Sequence, residues 1–298
     1  MAEPLSARTF DLPRRRTRAS AVVVALRPRQ WTKNLLLFAG IVFAAELGDG
    51  GRWLEAVAAF VAYCAASSAA YLVNDVRDAA ADRLHPVKRM RPVASGRVSP
   101  GVALCAAAGL ALVAVAIAAV LGAASLACLV SFLALQGAYS LWLKSVELVD
   151  VLAIAVLFVL RAAAGAIAVD VRISPWLLVC TFLLALFLGL AKRRAELRLD
   201  VDARPALAGY SADVLDRLLT IVALVTVVVY TAYTIVAYDS LLLVATVPLV
   251  GFGLVRYLRL LRAEGVGEEP EAVLVTDLPI LVTVAVWAAA CAVAIAIG

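Results

Sequence analysis

Residues 71–96 read YLVNDVRDAAADRLHPVKRMRPVASG, a polar stretch that leaves one long apolar run and leads into the next. Asn74, Asp78 and Asp82 recur every four residues, so on a continuing helix they line one face, with Asp75 beside them. Lys88, Arg89 and Arg91 follow. Three carboxylates so close together repel one another unless a cation sits among them. At a membrane edge the natural occupant is Mg²⁺, which takes oxygen ligands and is held by one or two carboxylates plus substrate phosphates. The stretch therefore predicts a metal–diphosphate site at the end of a transmembrane helix. Asn74, Asp75, Asp78 and Asp82 are its metal ligands, and Lys88, Arg89 and Arg91 its phosphate-binding cations. Tyr71, still at membrane depth with Asn74, joins the substrate-binding set, because polar groups there are costly unless they serve a cavity. The plainer reading is of loop charges balanced by Arg77 and Arg83.

Composition sets the surroundings. The chain has 298 residues, of which 64% are hydrophobic, and that excludes a soluble globular domain. Nine apolar runs approach the span of about 20 residues that a bilayer requires: roughly 30–48, 53–73, 100–121, 124–143, 146–169, 174–191, 214–237, 240–256 and 275–297. The expected fold is all-α, a polytopic bundle of nine transmembrane helices. The first run is the shortest between charges, and the eighth contains Pro248. A net charge of +5 might point to nucleic acid as a partner, but its distribution does not: 24 of the 27 Lys and Arg residues fall in the N-terminal segment and alternate loops. By the positive-inside rule those loops and the N-terminus face the cytoplasm, in a bacterial inner membrane. Residues 1–24 read as a flexible basic cytoplasmic tail, and 25–298 as one membrane domain. The five cysteines all lie in apolar runs, without metal or disulfide spacing.

The connections on the opposite face are too short to carry chemistry. On the cytoplasmic face, loops 75–99 and 192–213 occupy matching places, which suggests a duplicated helical unit around one central cavity. The second loop opens AKRRAELRLD, with Lys192 and Glu196 one turn apart and Arg193 and Arg194 beside them. It ends a span, as a stop-transfer cluster would, yet it lies at the depth of the acidic ladder. A diphosphate needs both metal and fixed positive donors. Between the loops, YSLWLKSVELVD supplies Tyr139, Lys144 and Asp150. Arg161 lies within a span and is expected to face the cavity, since an ion pair with Asp150 would need partners 11 residues apart on one helix. In RPRQWTKN, Trp31 reads as an interface anchor, while Gln30, Lys33 and Asn34 are within reach of the cavity. His85 reads as a loop residue, and RAEGVGEEPEAV, after the eighth run, as a solvated connector. No GxxxxGKS, GxSxG or Cys/His metal pattern occurs, so the chemistry rests on metal and electrostatics rather than a covalent intermediate.

These motifs resemble the UbiA superfamily of intramembrane prenyltransferases over roughly residues 25–297. The first motif matches its NDxxDxxxD pattern at Asn74, Asp75, Asp78 and Asp82. The second departs: where aromatic prenyltransferases carry DxxxD, this chain has Lys192 and Glu196 within KRRAEL. That departure, with the RPRQWTKN start, is similar to the branch that moves 5-phosphoribose from phosphoribosyl diphosphate to a polyprenyl phosphate for cell-wall arabinan precursors. The resemblance implies a nine-helix bundle around a cavity open to the cytoplasm, with Mg²⁺ as cofactor. Phosphoribosyl diphosphate, polyprenyl phosphate and the lipid bilayer are the implied partners; a homo-oligomer is compatible with it, and nucleic acid is not a partner. In this scheme Asp78, Asp82 and Lys192 are catalytic. Arg193 clamps phosphate and Glu196 orients Lys192 or a ribose hydroxyl, while Tyr139, Lys144 and Arg161 position the acceptor phosphate and Asp150 joins the substrate-binding set. Two alternatives remain at this stage: prenyl transfer to an aromatic acceptor, and a transporter.

Overall fold

The computed structural model describes residues 18–43, 48–172, 174–199, 209–236, 241–264, 273 and 276–297. Its α-helices are α1 (Arg18–Ala25), α2 (Ala39–Phe43), α3 (Gly50–Arg77), α4 (Ala79–Leu84), α5 (Pro100–Val120), α6 (Ala123–Leu141), α7 (Val149–Ala168), α8 (Pro175–Leu199), α9 (Ala212–Val236), α10 (Leu241–Val244), α11 (Val247–Glu264) and α12 (Leu278–Ile297). Among the described residues seven helical segments are long and apolar enough to cross a bilayer, and a shorter apolar helix, Leu278–Ala294, follows them. Large apolar side chains lie bare on the outside of the bundle, among them Leu112 at 70% exposure and Val120 at 88%. In water such a surface would aggregate, whereas in hydrocarbon it is at home. The protein is a multi-pass membrane protein.

Alanine sets the packing in the first half. Ala59, Ala66, Ala114 and Ala118 share a buried cluster with Tyr63, Leu129 and Phe132, and Ala69, Ala103 and Ala107 share another with Leu72. Without side-chain bulk, α3 and α5 approach closely, and dispersion replaces the hydrophobic effect as the attraction. Local signals place the ends. Asp49 caps α3 by accepting from the N–H groups of Gly51 and Arg52, and Ser99 caps α5 with Pro100 in its first turn. Gly122, at φ 116°, turns the chain between α5 and α6.

The first expected span is not one α-helix. Residues Pro28–Phe38 form an 11-residue 3₁₀ helix that continues into the five-residue α2, and 44–47 lie outside the described residues. A 3₁₀ run of this length is uncommon, and tertiary contacts account for it. At three residues per turn Trp31, Asn34 and Leu37 stack on one face. Trp31 donates to Ser68 of α3, Asn34 meets Arg161 of α7, and Leu37 is fully buried. Added Cβ atoms would overlap the Leu37 carbonyl oxygen at Gly165 and the Ala166 backbone at Gly40. At the usual 3.6 residues per turn these three side chains would drift off the common face. The expected tail also begins to fold early: residues 18–25 form α1, with Ala21 and Ala25 each 1% exposed in the α3–α5 cluster. Residues 1–17 and 265–272, the latter most of the expected third connector, lie outside the described residues.

Candidate active site

The acidic ladder bends as it leaves the membrane. α3 ends at Arg77, and Asp78 (φ −86°, ψ 1°) joins it to α4 while the i→i+4 backbone bonds continue: Asp78 N–H to Asn74 O at 2.9 Å and Asp82 N–H to Asp78 O at 2.8 Å. The bend divides the carboxylates. Asp75 and Asp82 turn inward, 1% and 4% exposed, whereas Asp78 is half-buried on the flank.

Three protein cations meet these three carboxylates. Arg27, in the left-handed region at φ 55°, ion-pairs with Asp75 and lays its guanidinium 4.9 Å from the Tyr71 ring centre. Arg91 bridges the inward pair, with Nη1 2.7 Å from Asp82 and 3.6 Å from Asp75. Lys144 Nζ lies 3.2 Å from Asp78 Oδ2, which also accepts from Asn74 Nδ2 at 3.0 Å. The repulsion that the sequence assigned to a metal for relief is thus met by Arg27, Arg91 and Lys144. The loop carrying Arg91 is held by its own bonds: His85 Nδ1 accepts from Val87 and Lys88 N–H, and Arg83 donates to Ala94 O. Pro92, Val93 and Ala94 are buried beneath it. Lys88 and Arg89 make no ion pair among the described residues, and Arg77, Arg83 and Arg97 bond to backbone carbonyls rather than to carboxylates.

Asp75, Asp78, Asp82 and Asn74 offer only hard oxygen donors, the set a Mg²⁺ ion requires. Asp75 Oδ2 is buried with no hydrogen-bond partner among the described residues. A buried carboxylate oxygen left bare is costly unless an incoming group satisfies it. The donor chemistry suits a divalent hard cation, but among the described residues these carboxylates are not gathered into a group of three that could hold a metal ion as they stand.

The second cluster centres on Arg193, 1% exposed in α8. Its guanidinium is 2.5 Å from Asp150 Oδ2, ion-pairs with Glu196, and reaches Tyr139 hydroxyl at 3.5 Å. Asp150 is completely buried in the first turn of α7, and its Oδ1 accepts from Val151 N–H at 2.8 Å. Glu196 is therefore engaged by Arg193, and Lys192 is half-buried beside it. Arg194 makes a two-pronged pair with Asp216 of α9, both contacts at 3.1 Å. The end of α6 touches both clusters: Tyr139 meets Arg193, and the carbonyls of Ser140 and Leu141 accept from Arg77.

Arg161 stands apart, deep in the bundle and 5% exposed. It donates to Asn34 Oδ1 at 2.8 Å and Leu157 O at 3.0 Å, with its guanidinium 4.6 Å from the Phe132 ring centre. It ties the 3₁₀ helix to α7. Gln30 and Lys33 are half-buried on that helix. Two participants escaped the sequence. The sequence assigns Arg27 no role within RPRQWTKN, although an Arg–Pro step before an amphipathic segment signals a turn that can aim a side chain. Tyr210, a lone aromatic just before α9, accepts from Leu148 N–H and donates to Asp150; nothing in its spacing pointed there.

A model of the UbiA prenyltransferase family matches residues 35–275. The chain is 35% identical over 292 residues to the decaprenyl-phosphate phosphoribosyltransferase of Mycobacterium tuberculosis (strain CDC 1551), covering 94% of this chain and 95% of that protein. It is 36% identical over 219 residues to the enzyme of the same name from Mycolicibacterium smegmatis, covering 71% and 69%. The solved structure of a UbiA homolog from Archaeoglobus fulgidus bound to GPP and Mg²⁺ matches with a TM-score of 0.71 at 19% identity, over 93% of this chain and 99% of that one. At that identity the likeness speaks for the fold alone.

Proposed function

The chain belongs to the UbiA prenyltransferase family, and on that premise we propose that it transfers 5-phosphoribose from phosphoribosyl diphosphate to a polyprenyl phosphate, releasing diphosphate. The observation that carries this reading is the charge make-up at the end of α3. Three carboxylates are matched by Arg27, Arg91 and Lys144, and Lys88 and Arg89 follow in the same loop with no ion pair among the described residues. Such a site suits polyanions: its cations can turn from carboxylate to phosphate oxygens, while a bound divalent cation would offset the carboxylates they leave. The names of two relatives, at 35% and 36% identity, support the same transferred group and a polyprenyl-phosphate acceptor.

Asn74, Asp75, Asp78 and Asp82 would hold Mg²⁺, which when bound neutralises a departing diphosphate. Lys88, Arg89 and Arg91 bind diphosphate or 5-phosphate oxygens, and Lys144 steadies the acceptor beside Asp78. The acceptor's phosphate is already anionic at neutral pH. One of its oxygens bonds to ribose C1 as the C1–O bond to diphosphate breaks, so no general base is required. Arg193, shielded from solvent between Asp150 and Glu196, acts on this reading by fixing α7 against α8, and Lys192 is the α8 cation offered to phosphate. The acceptor's isoprenoid tail stays in the bilayer. The site faces the cytoplasm of a bacterial inner membrane, as the placement of basic residues argues.

The test is mass analysis of lipid products from purified protein in nanodiscs with Mg²⁺. One arm contains phosphoribosyl diphosphate and polyprenyl phosphate, and the other geranyl diphosphate and an aromatic acid. The expected product is a polyprenyl phosphate heavier by one phosphoribosyl group in the first arm only. Prenylated aromatic product in the second arm would overturn the reading. Asp82→Asn, which keeps the side chain's shape, should lose almost all transfer.

A further inference from the structure

Between Lys144 and Asp150 the chain passes through a strained turn. Leu148 has φ 61° and ψ −39°, and Val149 N–H bonds to Glu147 O at 2.7 Å. Residues 147–149 thus form the positive-φ γ-turn, a conformation that L side chains adopt only under constraint. Burial of Leu148 does not supply that constraint, because its side chain is 44% exposed.

Tyr210 does. It is 6% exposed, and its hydroxyl accepts from Leu148 N–H at 2.6 Å and donates to Asp150 Oδ1 at 3.0 Å. Burial pushes the hydroxyl above the ordinary phenol range, which keeps its proton available for Asp150. The phenol spans the turn from its strained centre to the first turn of α7. The other end of the same short connection is the 3₁₀ segment Leu143–Ser145, which carries Lys144 against Asp78.

We propose that Tyr210 is a positioning residue: by holding the strained 147–149 turn, its hydroxyl keeps Lys144 on Asp78 and so couples the second polar loop to the acidic cluster of the first. The geometry stands without any assigned substrate, and only the effect on turnover rests on the function proposed above.

Reaction of Lys144 with an amine-acylating reagent, read by mass spectrometry on the protein in nanodiscs without substrate, tests the coupling. Asp78→Asn sets the value for a released Lys144. Tyr210→Phe removes one hydrogen-bonding hydroxyl, so labelling of Lys144 should rise by about fivefold, the equivalent of one net hydrogen bond. Leu148→Gly in the Tyr210→Phe protein relaxes the turn, since glycine accepts positive φ without penalty, and labelling should fall back towards wild type. Transfer activity should follow, with kcat/KM lowered in Tyr210→Phe and recovered in the double variant. Unchanged labelling in Tyr210→Phe, an equal rise at Lys33 and Lys88, or no recovery with Leu148→Gly would each overturn the proposal. If labelling behaves as expected while wild-type protein shows no phosphoribosyl transfer, the coupling stands and the proposed function fails.

Discussion

Replacing Arg193 by Met separates a framework role from a phosphate-binding one. Arg193 and Asp150 are 1% and 0% exposed, and their contact is 2.5 Å. Removing the cation leaves an aspartate carboxylate enclosed in the bundle, a loss of about 3–5 kcal/mol for a buried pair broken on one side. The lower end applies, because Asp150 keeps the Tyr210 hydroxyl and the Val151 N–H. Glu196 also loses its partner, but it lies nearer the surface and can be solvated. At roughly 2–4 °C per kcal/mol, the Tm should fall by on the order of 6–12 °C for a loss near 3 kcal/mol. The assay is thermal unfolding in one detergent or nanodisc, with transfer measured well below the lowered Tm. Asp150→Asn in the Arg193→Met background removes the stranded charge while keeping an acceptor for Tyr210, and should restore at least half the loss. If Arg193→Met instead abolished transfer at unchanged Tm, Arg193 would be a phosphate clamp and the framework account would be refuted.

Three further outcomes follow from the same geometry. A chelator should abolish transfer, with recovery on excess Mg²⁺, and lower the Tm only modestly, since Arg27, Arg91 and Lys144 already neutralise the cluster and the ion satisfies one further oxygen, Asp75 Oδ2; a large fall in Tm would contradict this. Gly165→Ala should destabilise by about 1–3 kcal/mol or more, because the added methyl overlaps the Leu37 carbonyl oxygen, and a Tm equal to wild type would contradict the close approach of α7 and the 3₁₀ helix. Arg161→Met leaves Asn34 Oδ1 without its donor and should cost about 1–3 kcal/mol in unfolding experiments. Lost activity at full stability would place Arg161 in the substrate site instead.

The sequence alone determined the class and showed where polar side chains gather at the membrane boundary. Apolar runs of bilayer length can be satisfied only by helices, and oxygen-rich residues at a membrane boundary mark a polar site, so both follow from composition and local spacing. The family motif at Asn74–Asp82 was equally legible. Tertiary structure decided which charges meet. Residues 31, 34 and 37 disclose a period of three only once α3 and α7 are in place, because the close approach at Gly165 selects the narrower helix. The partnership of Arg27 with Asp75 crosses 48 positions, and that of Tyr210 with Asp150 crosses 60. No periodicity reaches that far. Buried charges take whichever counter-charge the packed helices bring within about 3 Å, since inside the bundle an unpaired one costs several kcal/mol. Which pairs form is therefore a property of the assembled bundle rather than of any one segment.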